Sequence, residues 1–116
     1  MELISLKKLC EEVGVSRRSV QGYEKAGVIK PVSKNKYGYL LYSREMVERA
    51  KLIKFYRDIG LKNVEISQLI EAPSNVVIDT LKERMGYLED NMEKTKLLME
   101  KTQLLIRKMS EGELLL

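Results

Sequence analysis

The residues with the clearest chemical potential in this sequence are long hydrogen-bond donors placed directly after a glycine. Arg17 and Arg18 follow Gly14-Val15-Ser16, and Gln21 and Lys25 lie four and eight positions after Arg17. These offsets keep the side chains on one side of a helix. Guanidinium groups near the start of such a helix suit duplex phosphates and guanine edges. We therefore predict DNA contact by Ser16, Arg17, Arg18 and Gln21, with an ordinary solvated face as the alternative.

A second polar group lies in residues 30–42, where the sequence alternates and contains turn-forming residues. Asn35 and Gly38 are residue types that accept a positive φ, so a two-stranded hairpin is predicted. Tyr39 and Tyr42 are three positions apart and should point to opposite faces, one inward and one outward. The basic tip suits phosphate contact through Lys34, Lys36 and Tyr39, and the alternative is a solvated turn.

Two short helices joined by a glycine turn would position the arginines. Ser5 is expected to cap the first helix, whose apolar face is Leu6, Leu9, Cys10 and Val13. Gly14 ends that helix and Ser16 caps the second, with Val15 and Val20 at the spacing of a hydrophobic staple. The inner face of the second helix is predicted to be Val20, Tyr23 and Ala26, and Gly27 and Pro31 stop it.

Two further helices are expected to complete the core of this head. Ser43 should cap a third helix that runs to Gly60, with an apolar stripe of Met46, Val47, Ala50, Ile53 and Tyr56, widened by Leu52, Phe55 and Ile59. Asn63 should cap a short fourth helix carrying Val64, Ile66, Leu69 and Ile70.

A long heptad repeat follows Ala72-Pro73-Ser74, where a domain boundary is predicted. Spacings of three and four alternate along Ile78, Leu81, Met85, Leu88, Met92, Thr95, Met99, Thr102, Ile106 and Met109. Such a run predicts a coiled-coil helix over about 74–109, roughly 54 Å long. The sequence contains no second long helix to cover this stripe, so we predict dimerisation through these residues, most simply as a homodimer.

Other features of the long helix have an ordinary and a functional interpretation. Met85, Met92 and Met99 recur every seven residues, and core packing is favoured over a soft-metal site. Gly86-Tyr87 could form one wall of a ligand site or simply accommodate packing. Leu97, Leu98, Leu104 and Leu105 widen the apolar face, and we expect them to touch the third and fourth helices of a partner copy.

Composition excludes several kinds of chemistry. Residues 1–62 contain 14 basic and 7 acidic side chains, whereas residues 63–116 contain 7 basic and 10 acidic ones, which favours a polyanion-binding first half. One cysteine and no histidine argue against a disulfide framework, a Ser–His or Cys–His nucleophile and a zinc site. With no apolar run long enough for a membrane span and no signal peptide, we expect a cytoplasmic, non-enzymatic protein without metal or cofactor.

These residues together resemble the MerR family of transcriptional regulators. The markers are Gly14-Val15-Ser16, Tyr23-Glu24, Gly27-Val28-Ile29-Lys30-Pro31, Gly38-Tyr39, Tyr42, Gly60-Leu61 and Glu65-Ile66. The resemblance implies a mainly α fold, with a winged helix-turn-helix DNA-binding head over 1–72, an antiparallel coiled-coil dimerisation helix over 73–110 and a short tail over 111–116. It implies a homodimer that bends and untwists double-stranded DNA at a pseudo-palindromic promoter operator for RNA polymerase.

The resemblance also assigns roles to single positions. Arg17 and Arg18 match residues that meet the major groove, Tyr23 matches a tyrosine near the DNA backbone, and Lys34, Lys36 and Tyr39 match the wing. The sequence departs from the family where Gln21 and Gly22 replace an arginine and a tyrosine, and where Leu40 replaces an arginine. Removing one phosphate contact flattens the dependence of log affinity on log salt by about 0.9.

The same residues are also compatible with two other functions. One is a small architectural or phage-type winged-helix protein that does not switch a promoter, and the other is a coiled-coil adaptor whose head no longer binds DNA. The cysteines of metal-sensing relatives are missing, and a separate drug-binding domain is not expected. The sequence leaves the effector unknown.

Overall fold

The structure, a computed structural model, describes residues 2–112 and is mainly α-helical. Its elements in chain order are β1 (Leu3–Ser5), α1 (Leu6–Val13), α2 (Arg17–Lys25), β2 (Ser33–Lys34), β3 (Leu40–Ser43), α3 (Arg44–Asp58), α4 (Asn63–Ile70) and α5 (Ser74–Ser110). The chain divides into two compact units between Val76 and Val77. We call the first unit the head. The predicted fold class is confirmed, whereas the functional domain limits stay predictions and residues 113–116 of the predicted tail lie outside the described residues.

The helix-turn-helix forms as its capping residues predict. Ser5 and Ser16 hold extended backbone conformations before α1 and α2, and each side chain accepts a hydrogen bond from the amide three residues later. Gly14 takes φ of 80°, a left-handed conformation that a residue with a Cβ adopts at a cost. The turn between the two helices is therefore encoded locally.

The head contains a three-stranded antiparallel sheet in the order β1-β3-β2. The hairpin of β2 and β3 was predicted, and Ser33 pairs with Leu41. Strand β1 was not predicted, although Ile4 pairs with Tyr42 at its centre. A strand of three residues has no detectable period, and this one is fixed by backbone hydrogen bonds to a distant part of the chain.

The wing is β2 together with the segment that joins it to β3, and the turn in that segment corrects one prediction. Gly38 has φ of 83°, but no residue other than glycine among the described residues has a positive φ, so the prediction for Asn35 was wrong. The side-chain Oδ1 of Asn35 instead accepts hydrogen bonds from the amides of Tyr37 at 2.9 Å and Tyr39 at 3.0 Å. Asn35 thus shapes the turn through its carboxamide.

The core of the head confirms most predicted apolar positions and rejects four, one of which is Val64 of α4 with 70% of its surface exposed. The buried residues include Leu9, Val20, Tyr42, Val47, Ala50, Ile53, Tyr56, Ile66 and Leu69. Leu52 is 43% exposed and Phe55 is 53% exposed, so they do not widen the buried stripe of α3. Both side chains lie on the side of α3 opposite its buried stripe, whose four residues are spaced three apart. Ala26 is also exposed, because α2 ends at Lys25.

The start of α4 differs from the prediction by one residue. Lys62 occupies the N-cap, and its amide donates to the Glu65 carboxylate at 3.0 Å. Asn63 is the first helical residue, and its Oδ1 accepts a hydrogen bond from Arg57 Nη1 at 2.9 Å. The Asn63 side chain therefore bonds to α3 and does not cap α4, which is the role that local capping rules predicted for it.

Helix α5 spans 37 residues, which corresponds to about 56 Å. None of its described side chains is buried, and Met92 in the heptad stripe is 71% exposed. Thr102 Oγ1 donates to the carbonyl of Leu98 at 2.7 Å. Within residues 2–112, no helix is long and apolar enough to cross a membrane, and no group of three or more His, Cys, Asp or Glu side chains is placed to hold a metal ion.

Candidate nucleic-acid interface

The predicted contact residues at the start of α2 lie on an exposed surface beside the wing. Arg17, Arg18 and Gln21 are exposed, which satisfies the first requirement for a recognition helix. Arg17 lines a groove of about 570 Å³ together with the start of α1 and the wing. The residues lining this groove are Ser5, Leu6, Lys7, Arg17, Asn35, Gly38, Tyr39 and Leu40. We call it the wing groove.

The wing groove is electropositive. Lys7 and Arg17 supply its charges, and no carboxylate is among its lining residues. Lys7 was not predicted as a contact residue. Its place in the first turn of α1, two residues after the Ser5 cap, could have indicated that it lies near the start of α2. A groove with two cations and no anion is suited to a phosphodiester backbone.

Only some of the wing side chains line this groove. Tyr39 is 68% exposed and lines the groove, whereas Tyr42 is buried, which confirms that one of these two tyrosines faces outward and the other inward. Lys34 and Lys36 are exposed but are not among the lining residues. The ammonium group of Lys36 lies 5.1 Å from the ring centroid of Tyr37, a cation–π contact that no sequence pattern predicted.

Leu40 gives the wing groove an apolar wall. It is half-buried at the start of β3 and lies in the groove with Leu6 and Tyr39. An arginine at this position would add a third cation to the groove. The departure at Leu40 therefore falls inside the candidate interface.

Tyr23 lies on the other flank of α2. It lines a smaller cavity of about 160 Å³ with Ser19, Gly22, Arg57 and Asn63. We call this cavity the notch. Burial raises the pKa of the Tyr23 phenol, and the nearby Arg57 guanidinium opposes that rise. Of the predicted contact residues, Arg17 and Tyr39 therefore line the wing groove and Tyr23 lines the notch, whereas the others line neither concavity. Of the two, only the wing groove combines α2 with the wing.

A partly buried hydrogen bond joins α2 to the sheet. The hydroxyl of Tyr42, a residue with no exposed surface, donates to the Glu24 carboxylate near the end of α2. Burial first and this carboxylate second raise the pKa of Tyr42 above its usual range. Because Tyr42 belongs to β3, the contact ties the orientation of α2 to the strand that carries the wing.

Ion pairs on the opposite side brace α1 against α3. The Glu12 carboxylate accepts from Arg44 and lies 3.0 Å from Lys51 Nζ. These two cations lower the pKa of Glu12. The brace holds the first helix of the helix-turn-helix in place, although exposed pairs of this kind contribute little individually.

Comparisons with known proteins show which family this chain is similar to. Residues 4–73 match the MerR HTH family regulatory proteins. The nodulation protein NolA of Bradyrhizobium diazoefficiens is 29% identical over 91 residues, covering 78% of this chain and 38% of NolA. A probable heavy metal-dependent transcriptional regulator of Haemophilus influenzae is 31% identical over 72 residues, covering 62% of this chain and 56% of that protein. The chain thus spans between two fifths and just over half of the length of these relatives.

Solved structures show the same fold. A MerR family regulator from Bacillus cereus superposes with a TM-score of 0.79 at 16% identity, covering 99% of this chain and 88% of the other. HiNmlR, a MerR family regulator that lacks the sensor domain and was solved bound to promoter DNA, gives 0.55 at 18% identity, covering 97% and 92%. MtaN, the N-terminus of the Bacillus subtilis multidrug transporter activator, gives 0.64 at 26% identity, covering 86% and 97%. On the match over residues 4–73, this chain belongs to the MerR family of helix-turn-helix regulatory proteins.

Proposed function

We propose that this protein is a transcriptional regulator that binds a pseudo-palindromic promoter operator as a homodimer and bends and untwists the DNA. The observation that carries the proposal is the wing groove. It places Arg17 of α2, Lys7 of α1 and Tyr39 of the wing around one carboxylate-free concavity. Family membership and the promoter DNA bound by HiNmlR support the same function.

The positions of the contact residues and the family resemblance support a role for each of them. Arg17 and Arg18, in the first turn of α2, enter the major groove, where guanidinium groups read guanine edges or grip phosphates. Ser16 and Gln21 flank them, and the wing residues Lys34, Lys36 and Tyr39 contact the neighbouring backbone. Tyr23 approaches the backbone from the notch. The apolar Leu40 contributes no phosphate contact, so this protein binds DNA through fewer ion pairs than a relative with arginine there.

The argument for a homodimer is the exposed heptad stripe of α5, which a second copy would cover. Ile78 is 50% exposed and Met92 is 71% exposed, although both occupy positions that a coiled coil would bury. Antiparallel pairing would bring the second half of α5 beside the partner's head. Leu98 and Leu105, which are 62% and 45% exposed, would then contact the partner's third and fourth helices. Those helices expose the apolar side chains of Phe55 and Val64. A dimer of this kind presents two heads to two half-sites and leaves the promoter accessible to RNA polymerase.

The test is a salt-titrated footprint on a duplex selected from random DNA with the purified protein. We expect protection of an inverted repeat with a distorted centre, and a slope of log affinity against log salt that flattens in the double variant Arg17→Ala/Arg18→Ala. The matched control is Lys94→Ala/Lys101→Ala, which removes two exposed cations from α5.

Each alternative function has its own outcome in this footprint. Broad protection without a distorted centre would identify an architectural DNA-binding protein. No protection at low salt would identify a coiled-coil adaptor. An unchanged slope in the arginine double variant would refute the assignment of the interface.

A further inference from the structure

The wing groove has an apolar wall that a DNA phosphate does not use. We propose that this groove also binds a small amphipathic anion, a carboxylate with an apolar tail, and that such a ligand competes with DNA for it. The competition rests on the proposed function, because it places the ligand on the surface assigned to DNA. Binding of the ligand itself does not depend on DNA and can be tested without it.

Three of the residues that line the groove form its apolar wall. Leu6 and Leu40 are half-buried, and Tyr39 is 68% exposed. Leucine side chains form no hydrogen bond with a phosphodiester oxygen, so the DNA backbone gains little from this wall. An alkyl tail that lies against it would remove apolar surface of both the ligand and the protein from water.

The polar side chains of the groove suit the anionic end of such a ligand. Lys7 and Arg17 are exposed, and neither belongs to an ion pair within residues 2–112. The other polar side chains that line the groove, those of Ser5 and Asn35, are both able to donate a hydrogen bond. Since Asn35 Oδ1 already accepts from two amides of the wing, the carboxamide can offer its NH₂ group to a ligand.

The size of the groove also matches a small organic molecule. Its volume of about 570 Å³ lies within the range of about 300–1,000 Å³ that is typical of small-molecule sites. Such sites combine apolar walls with a few polar groups that fix the orientation of the ligand. A DNA backbone uses only the cations of this groove, whereas an amphipathic anion uses the cations and the leucines together.

The first experiment titrates decanoate into the ¹⁵N-labelled protein without DNA and follows the amide chemical shifts. We expect decanoate to shift the amides of Leu6, Lys7, Tyr39 and Leu40. Two matched probes are the controls: acetate carries the anion without the tail, and decyltrimethylammonium carries the tail without the anion. Neither control should shift these amides at the same concentration. The inference is overturned if decanoate leaves these amides unshifted, or if decyltrimethylammonium shifts them as strongly.

The variant Leu40→Arg should affect the two ligands in opposite directions. It removes a leucine from the apolar wall and adds a cation, so the affinity for decanoate should fall about tenfold. The slope of log DNA affinity against log salt should become steeper by about 1.8 in the dimer. Leu40→Met keeps the wall apolar and should keep the wild-type affinity for decanoate. The control Val32→Arg changes a residue that is 50% exposed outside the groove, and its decanoate affinity should not fall.

A second titration adds decanoate to the complex of the protein with the selected duplex. The wild type should release DNA at the concentrations that occupy the groove, and Leu40→Arg should need about tenfold more decanoate. Equal decanoate affinity in the wild type and Leu40→Arg would overturn the inference, and so would a groove that fills with decanoate while DNA stays bound. If decanoate shifts the groove amides of a protein that protects no DNA in the footprint, the proposed function is wrong and the ligand site stands.

Discussion

Replacing Tyr42 by phenylalanine removes one oxygen atom from the contact that ties α2 to the sheet. Tyr42 has no exposed surface, and its hydroxyl donates to the half-buried Glu24 carboxylate. Phenylalanine fills nearly the same volume, so the ring packing remains. Glu24 also lies near the C-terminal end of α2, where the helix dipole disfavours a negative charge. Its carboxylate therefore depends on this donor for stabilisation.

The size of the effect follows from the charge on the acceptor. Hydrogen bonds to charged groups contribute about 1.5–3 kcal/mol to stability, and the Tyr42 hydroxyl has no contact with solvent in the folded protein. We therefore expect Tyr42→Phe to lower the free energy of unfolding by about 1.5–3 kcal/mol. DNA affinity should fall as well, because α2 loses a link to the strand that carries the wing.

Urea denaturation at one fixed protein concentration measures the stability change, because the stability of a dimer depends on concentration. The variants Tyr42→Phe, Glu24→Gln and the double variant complete a thermodynamic cycle, in which we expect coupling above about 0.5 kcal/mol. A Tyr42→Phe variant that loses less than about 0.5 kcal/mol, or additive effects in the double variant, would refute the role of this hydrogen bond.

The raised pKa of Tyr42 also predicts that the free energy of unfolding depends on pH in the alkaline range. The folded pKa of Tyr42 is raised above its ordinary value of 10.0, so the neutral phenol is favoured in the folded state. Its contribution is complete below pH 10 and is lost as the pH rises beyond that value. The stability of the wild type should therefore decline more steeply above pH 10 than that of Tyr42→Phe.

Three further variants test other parts of the structure. Glu12 stabilises the fold fully above its ordinary pKa of 4.5, and this contribution is lost as the pH falls through its lowered folded pKa. Glu12→Gln removes the contribution, so the free energies of unfolding of wild type and variant should differ near neutral pH and converge at low pH. Gly22→Ala should stabilise the head by about 1 kcal/mol in denaturation, because its Cβ meets no atom within 4 Å; a loss of stability would contradict this. Leu98→Glu/Leu105→Glu should shift the protein from dimer towards monomer in sedimentation, and an unchanged dimer would count against the proposed packing of α5.

The local elements of this fold could be predicted because short-range chemistry encodes them. Ser5 and Ser16 begin helices since their hydroxyls satisfy amides three residues later, and Gly14 permits the left-handed turn between those helices. The heptad spacing likewise predicts the long helix, because its period of 3.5 residues matches one helical face. The exposure of Leu52 and Phe55 could not be predicted with equal success, because both are apolar and only the packing of α3 separates them from its buried stripe.

By itself, the sequence determined where α1, α2 and the wing turn form and which cations begin α2, since each feature depends on residues within about one helical turn. Only the tertiary structure decided which of those cations share a surface. It brought Lys7 beside Arg17 in the wing groove, paired Tyr42 with Glu24 across 18 residues, and placed Arg57 and Asn63 beside Gly22. These contacts join residues distant in the chain, and the packing of α1, α2, α3 and the sheet around a common core sets their distances.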